Sequence, residues 1–242
     1  MRGVHRLTLA VATAAATDVW NANPQDFTAQ KHSADAMTDF DFYVFAHSWQ
    51  PSFCAGEDYP GCSVPDSYWA SHFTIHGLWP ELANGPHPGF CTKEPLDINS
   101  VRTAIGEGVL EQYWPNVKVA ANTTHYDSFW AHEWSRHGTC RGLDQVAFFQ
   151  SAIDKIKSQG TPDFITQHVG QTVSTKDVRD AFGGVNHAVL QCENGNELSQ
   201  VFTCYDKDVN SNVPTTLRAC APHVLAEDTC TSKSTVFIRS FG

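Results

Sequence analysis

The chain has 242 residues and a formal charge of −10, with 16 Lys and Arg against 26 Asp and Glu. That length suits one large domain, and the acidic balance excludes a protein that grips a long polyanion through a broad basic surface. Any nucleic-acid chemistry must be local to a few residues, or favoured at low pH where the 12 histidines become charged. Met1–Ala16 reads as a secretory signal: Arg2 and Arg6 precede the apolar, small-residue run Leu7–Ala16, which is too short to span a bilayer. Losing Arg2 and Arg6 with it takes the charge from −10 to −12. The eight cysteines, an even number, suit an oxidising compartment, so secretion or an acidic endomembrane organelle is expected, with no membrane association.

Thr17–Thr38 is polar and poor in aliphatics, an arm or trimmed leader ahead of a domain over residues 39–242. Phe40–Trp49 (FDFYVFAHSW) is apolar on both alternations, which predicts a central strand covered on two sides. His47 and Trp49 share one side of it, and His47 is either a core histidine or a substrate contact. Cys54 and Cys62 bracket a loop short enough for a local disulfide. In Ser71–Pro80 (SHFTIHGLWP), Phe73–His76 alternates as a strand would before Gly77 breaks it. A strand end opening into a glycine turn presents its last side chain, His76, with the flat apolar face of Trp79 nearby. Asp97–Trp114 is loosely helical, weakened by Gly106 and Gly108.

Asn122-Thr123-Thr124 is a glycosylation acceptor at Asn122. Phe129–Cys140 (FWAHEWSRHGTC) carries the densest chemistry. At ~100° per residue, His132, Glu133, Arg136 and His137 fall within roughly 140° of a helix, with His132/Arg136 and Glu133/His137 at i,i+4. Three plainer readings compete with an acid–base site: a solvated helix face, a zinc site and a purely structural polar network. The tryptophans argue against the first, and H-E-x-x-x-H departs from the H-E-x-x-H zinc spacing. Downstream, Asp144–Gly160 is an amphipathic helix with Phe149, Ala152, Ile153 and Ile156 on one stripe. Thr161-Pro162 starts another helix that Gly170 should end, and Ser174-x-x-Asp177 caps a short one closing at Gly183. The pattern turns strand-like after Val189, with strands over Leu198–Tyr205 and Thr235–Phe241. One α+β domain follows.

Two histidines from different segments, a cation and an aromatic surface suit RNA cleavage by transesterification. One imidazole takes the proton of the attacking 2′-hydroxyl, and a second protonates the departing 5′-oxygen, each worth ~10²–10⁴-fold. A guanidinium or imidazolium stabilises the charge on the non-bridging oxygens, and single-stranded bases stack on aromatics. The chemistry needs no metal or cofactor.

FTIHGLWP and FWAHEWSRHGTC resemble the two active-site segments of the ribonuclease T2 family, which includes the S-ribonucleases of plants. The resemblance runs from Phe40 to Phe241 and takes in Trp114-Pro115 and the C-terminal cysteines. It implies a central antiparallel sheet flanked by helices, and an endonuclease of low base specificity that acts on single-stranded RNA and leaves 2′,3′-cyclic phosphate ends. His137 would be the general base, His76 the general acid and His132 a phosphate ligand. Glu133 and Arg136 would stabilise the transition state or orient the imidazoles, and Trp79, with His47 and Trp49, would serve the base. Arg136 stands where the family usually has Lys, a planar fork in place of a point charge, and His47 where plant members typically carry Gln. The family pattern also implies the disulfides Cys54–Cys62, Cys91–Cys140, Cys192–Cys230 and Cys204–Cys220. No obligate partner is implied, and a monomer is expected. The alternatives from other classes are a binding or storage protein with a decayed site and a metal-dependent phosphodiesterase.

Overall fold

Phe42–Ser48, apolar on both alternations, is buried on both faces along nearly its whole length, and the strand it forms (β1) lies inside the sheet. The computed structural model describes residues 40–242 apart from Pro86 and Arg141, so the expected signal and arm lie outside the described residues. After β1 come α1 (Gln50–Phe53), α2 (Pro60–Ser63), β2 (Thr74–Glu81), α3 (Ile98–Ile105), α4 (Glu107–Tyr113), α5 (Ser128–Arg136), α6 (Gln145–Gln159) and α7 (Asp163–Gln167). The chain continues through β3 (Gln171–Ser174), α8 (Thr175–Ala181), β4 (Ala188–Glu193), β5 (Glu197–Lys207), β6 (Pro214–Arg218), α9 (Pro222–Leu225) and β7 (Thr235–Ile238). The seven strands form one sheet along the path β2-β1-β5-β7-β3, with β4 and β6 also paired to β5. Pairing is antiparallel except for one parallel contact of β5 with β7, Glu197 opposite Phe237. The architecture is α+β.

Period-2 alternation along β1 divides the core. Phe42, Val44 and Ala46 point to one face, where they join Val189, Phe202, Cys204 and Val224, with Trp79 packed against them. The opposite alternation carries His47 against Phe45, Phe73 and Phe182 and leads to Trp49, which packs on Phe73. On the helical side, Trp114, Phe148 and Phe149 touch one another, and Trp134 meets Phe148. Burying each of these large side chains contributes roughly 1.5–3 kcal/mol.

Helix boundaries follow local chemistry. The helical stretch after Asp97 breaks in two at Gly106, whose φ of +93° lies where a Cβ is penalised. Asp144 caps α6 by accepting from the Ala147 N–H at 2.8 Å, and Ser174 caps α8 by accepting from the Asp177 N–H. The helix expected from Thr161-Pro162 is only five residues long. Gly170 lies beyond it and donates its N–H to Ile238 O, joining the start of β3 to the sheet. Four disulfides close among the described residues: Cys54–Cys62, Cys91–Cys140, Cys192–Cys230 and Cys204–Cys220. They are the pairs the resemblance implies. Asn122 is exposed with φ +64°. No helix among the described residues is long and apolar enough to cross a membrane.

Candidate active site

His76 sits in an irregularity of the sheet. In the β1–β2 ladder Ala46 faces Gly77 and His47 faces Ile75, so His76 is an extra residue with no counterpart, a bulge that re-aims its side chain. The bulge carbonyl is not orphaned, because Trp114 Nε1 donates to His76 O at 2.9 Å. Trp130 Nε1 in turn donates to Trp114 O at 2.7 Å. These two indoles tie α5 to the bulge of β2 through the loop that follows α4.

Helix α5 buries Phe129, Trp130, Glu133 and Trp134. Its last turn hands over to His137, whose N–H bonds Glu133 O at 3.0 Å, and a 3-10 turn follows over Gly138–Cys140. Cys140 is held to Cys91, and the neighbouring Phe90 N–H donates to Arg136 O at 2.9 Å. The helix end is therefore clamped to the loop after β2. Removing that disulfide would free a 49-residue separation, worth about 4 kcal/mol in the loop-entropy treatment.

Side chains from the two segments interlock around Trp79. Its Nε1 donates to Glu133 Oε2 at 3.0 Å. One face stacks on His137, with ring centroids 5.3 Å apart and planes 27° from parallel, and His76 meets it edge-on at 5.1 Å. His76 Nε2 lies 4.0 Å from Glu133 Oε1. Gly77 makes the approach possible: a Cβ there would fall 2.1 Å from Trp79 Nε1 and 2.2 Å from Glu133 Oε2. Arg136 holds its guanidinium carbon 6.0 Å from the centroid of the Phe90 ring.

Burial governs the protonation of this cluster. Glu133, 1% exposed, is pushed up to about 8 by loss of solvent, with the Trp79 bond and Arg136 opposing. His76 is pushed down to about 4, first by burial, while a hydrogen bond to Gln200 acts against the shift and His132 and Arg136 add to it. His137 falls well below the ordinary imidazole range through burial, then through Arg136, His132, His76 and His87. His132 is lowered by burial and by Arg136. Near neutral pH, burial thus favours the uncharged forms of three imidazoles and a carboxyl, with one permanent cation beside them.

His76, His132, Glu133, Arg136, His137 and Trp79 are brought together by the fold. The plainer readings of the α5 segment fare differently: Glu133 and His137 are buried, which removes the solvated face. No group of three His, Cys, Asp or Glu among the described residues is arranged to hold a metal ion. Two expected base contacts need correction. His47 is fully buried, its Nε2 3.2 Å from Thr203 Oγ1, and Trp49 is equally buried with Nε1 donating to Arg239 O at 2.7 Å. The two do share a side of β1, but alternation puts that side on the face opposite Ala46 and Trp79. Neither lines the cluster around Trp79, since both are buried against Phe73 on that opposite face. Sequence reasoning missed Gln200, whose Oε1 accepts from His76 Nδ1 at 2.6 Å. Its strand, β5, mixes polar and apolar residues, so nothing in that segment marks Gln200 out.

Residues 40–220 match the Ribonuclease T2 family, and the chain belongs to it. It is 33% identical over 187 residues to "Intracellular ribonuclease LX" of Solanum lycopersicum, covering 71% of this chain and 76% of the relative. It is also 33% identical over 200 residues to "Ribonuclease DdI" of Dictyostelium discoideum, covering 77% and 83%. Among solved structures it is similar to RNase NT in complex with 5′-AMP, at 28% identity and a TM-score of 0.55, covering 84% of this chain and 100% of that one.

Proposed function

We propose that this protein is an endoribonuclease that cleaves single-stranded RNA by transesterification through a 2′,3′-cyclic phosphate, with low base specificity. The observation that carries this reading is the convergence of His76 from the β2 bulge and His137 from the end of α5 on Trp79 and Glu133. Two separately anchored imidazoles, one serving each side of a phosphate, are what an in-line displacement needs. His137, held uncharged by burial, takes the proton from the 2′-hydroxyl. His76, carrying its proton on Nε2, delivers it to the departing 5′-oxygen. Arg136 and His132 face the non-bridging oxygens, where charge grows in the transition state, and Glu133 with Trp79 fixes the imidazoles between them.

The free site suits acidic conditions. A general acid must be protonated, so activity per free enzyme falls as pH rises through the His76 pKa of about 4. A bound phosphodiester anion favours the imidazolium and moves that limb upward in the complex. The N-terminal signal reading and the four disulfides support export or delivery to an acidic organelle, as a soluble protein.

The test is cleavage by the disulfide-bonded protein carrying His76→Ala or His137→Ala, each checked for native circular dichroism. Activity should fall at least about 10³-fold in either variant. Retention of activity in a variant would remove that histidine from the mechanism.

A further inference from the structure

Gln200 lies on β5, opposite Ser48 of β1, and Ser48 in turn faces Thr74 of β2. Two strand spacings of about 4.8 Å separate β5 from β2, too far for ordinary cross-strand neighbours. The contact with His76 exists for three reasons: the bulge displaces His76 from the ladder, glutamine is long, and Ser48 between them is short. The result is a 2.6 Å hydrogen bond from Nδ1 to Gln200 Oε1. With the Gln200 amide turned so that Oε1 meets the ring, a carbonyl oxygen accepts only, which assigns the hydrogen to Nδ1 and leaves Nε2 as the nitrogen that gains and loses the second proton. Nε2 is also the nitrogen that faces Glu133.

We propose that Gln200 is a positioning residue for the reaction, selecting the His76 tautomer that directs Nε2 toward the scissile phosphate and supporting its protonated form. The assignment rests on His76 being the general acid. Four other titratable or charged groups bear on the same imidazole: Glu133 at 4.0 Å from Nε2, His132 and Arg136 on α5, both of which oppose its protonation, and His137, which is coupled to it electrostatically. Among these, Gln200 is the group hydrogen-bonded to Nδ1. Orientation of a catalytic imidazole through the nitrogen that does not react is a general device.

The test is nitrogen NMR of histidine-labelled protein across pH, beside steady-state kinetics on an RNA homopolymer, for the natural chain and for Gln200→Leu and Gln200→Glu. In the natural protein neutral His76 should show a protonated Nδ1 and a bare Nε2. Gln200→Leu should lower the His76 titration midpoint and kcat by about 10-fold or more, with KM nearly unchanged. It should also draw the alkaline limb of kcat/KM to lower pH. Gln200→Glu should move both limb and midpoint up by about one pH unit or more, as an anion beside an imidazole does. A purely structural glutamine would change stability and leave the limb in place. An Nε2–H tautomer in the natural protein overturns the proposal whether or not the variants fold. Full activity of His76→Ala instead overturns the reading of His76, a result the tautomer measurement does not depend on.

Discussion

Glu133→Gln separates electrostatics from packing at the centre of the site. Gln keeps the shape and an oxygen to accept from Trp79 Nε1, but it cannot ionise. In the natural protein the folded-state carboxyl titrates at about 8 against an ordinary 4.5. Between those values the folded chain keeps a proton that the unfolded chain has released, so stability declines as pH rises. The penalty is absent below 4.5 and complete above 8. At about 1.4 kcal/mol per pH unit the full span corresponds to roughly 4–5 kcal/mol, an order of magnitude set by burying a carboxyl at 1% exposure. Denaturant unfolding at pH 4, 5, 6, 7 and 8 should therefore show the two proteins nearly equal at pH 4. The variant should gain steadily on the natural chain up to pH 8. A difference independent of pH would refute the reasoning and mean that Glu133 is ionised in the fold, balanced by Arg136 and a charged His76.

Gly77→Ala should force Trp79 and Glu133 apart, because the new methyl would lie 2.1 Å from one and 2.2 Å from the other. We expect a loss of about 1–3 kcal/mol, as for overpacking, and at least 100-fold in activity, with a change in tryptophan emission reporting the displaced indole. His47→Leu should leave base preference on a homopolymer panel untouched. It should also improve stability between pH 6.5 and 4: the unfolded histidine protonates in that range, whereas burial holds His47 near 3. Reduced acid stability in that variant would count against the assignment. Replacing both Cys91 and Cys140 by Ala should cost about 4 kcal/mol and should lower kcat, since the disulfide anchors the end of α5. Melting curves and initial rates measured together would show whether the two losses coincide.

Much of this architecture is legible because burial leaves a pattern. β1 could be read because it is covered on both sides and so has no polar alternation, and α6 because its apolar stripe spans 15 residues. The elements that escaped are short or lack a buried face, apart from the second half of β2: the strand does not break at Gly77 but runs on to Glu81, because pairing with β1 resumes past the bulge. α1, α2 and α9 are four residues each, too brief for a helical period, and β6 is a largely exposed strand led by Pro214. β3 is four residues with only Val173 buried. The site residues of the two motifs stand out because His, Arg and Glu among tryptophans are costly to bury. Gln200 does not stand out, since its role depends on a bulge and on strand order, neither of which is written in its own segment. The misplacement of His47 has a related cause. Alternation tells which residues share a face, but only the packing of Trp79 against Phe202 tells which face carries the cluster of titratable groups.

The most direct test of the central claim is product analysis by phosphorus NMR of a single-stranded RNA homopolymer digested between pH 4 and 8 in the presence of EDTA. The account predicts 2′,3′-cyclic phosphate ends, undiminished by chelation and formed fastest on the acidic side. Exclusively linear phosphate ends from the first turnover, or loss of cleavage in chelator, would contradict it.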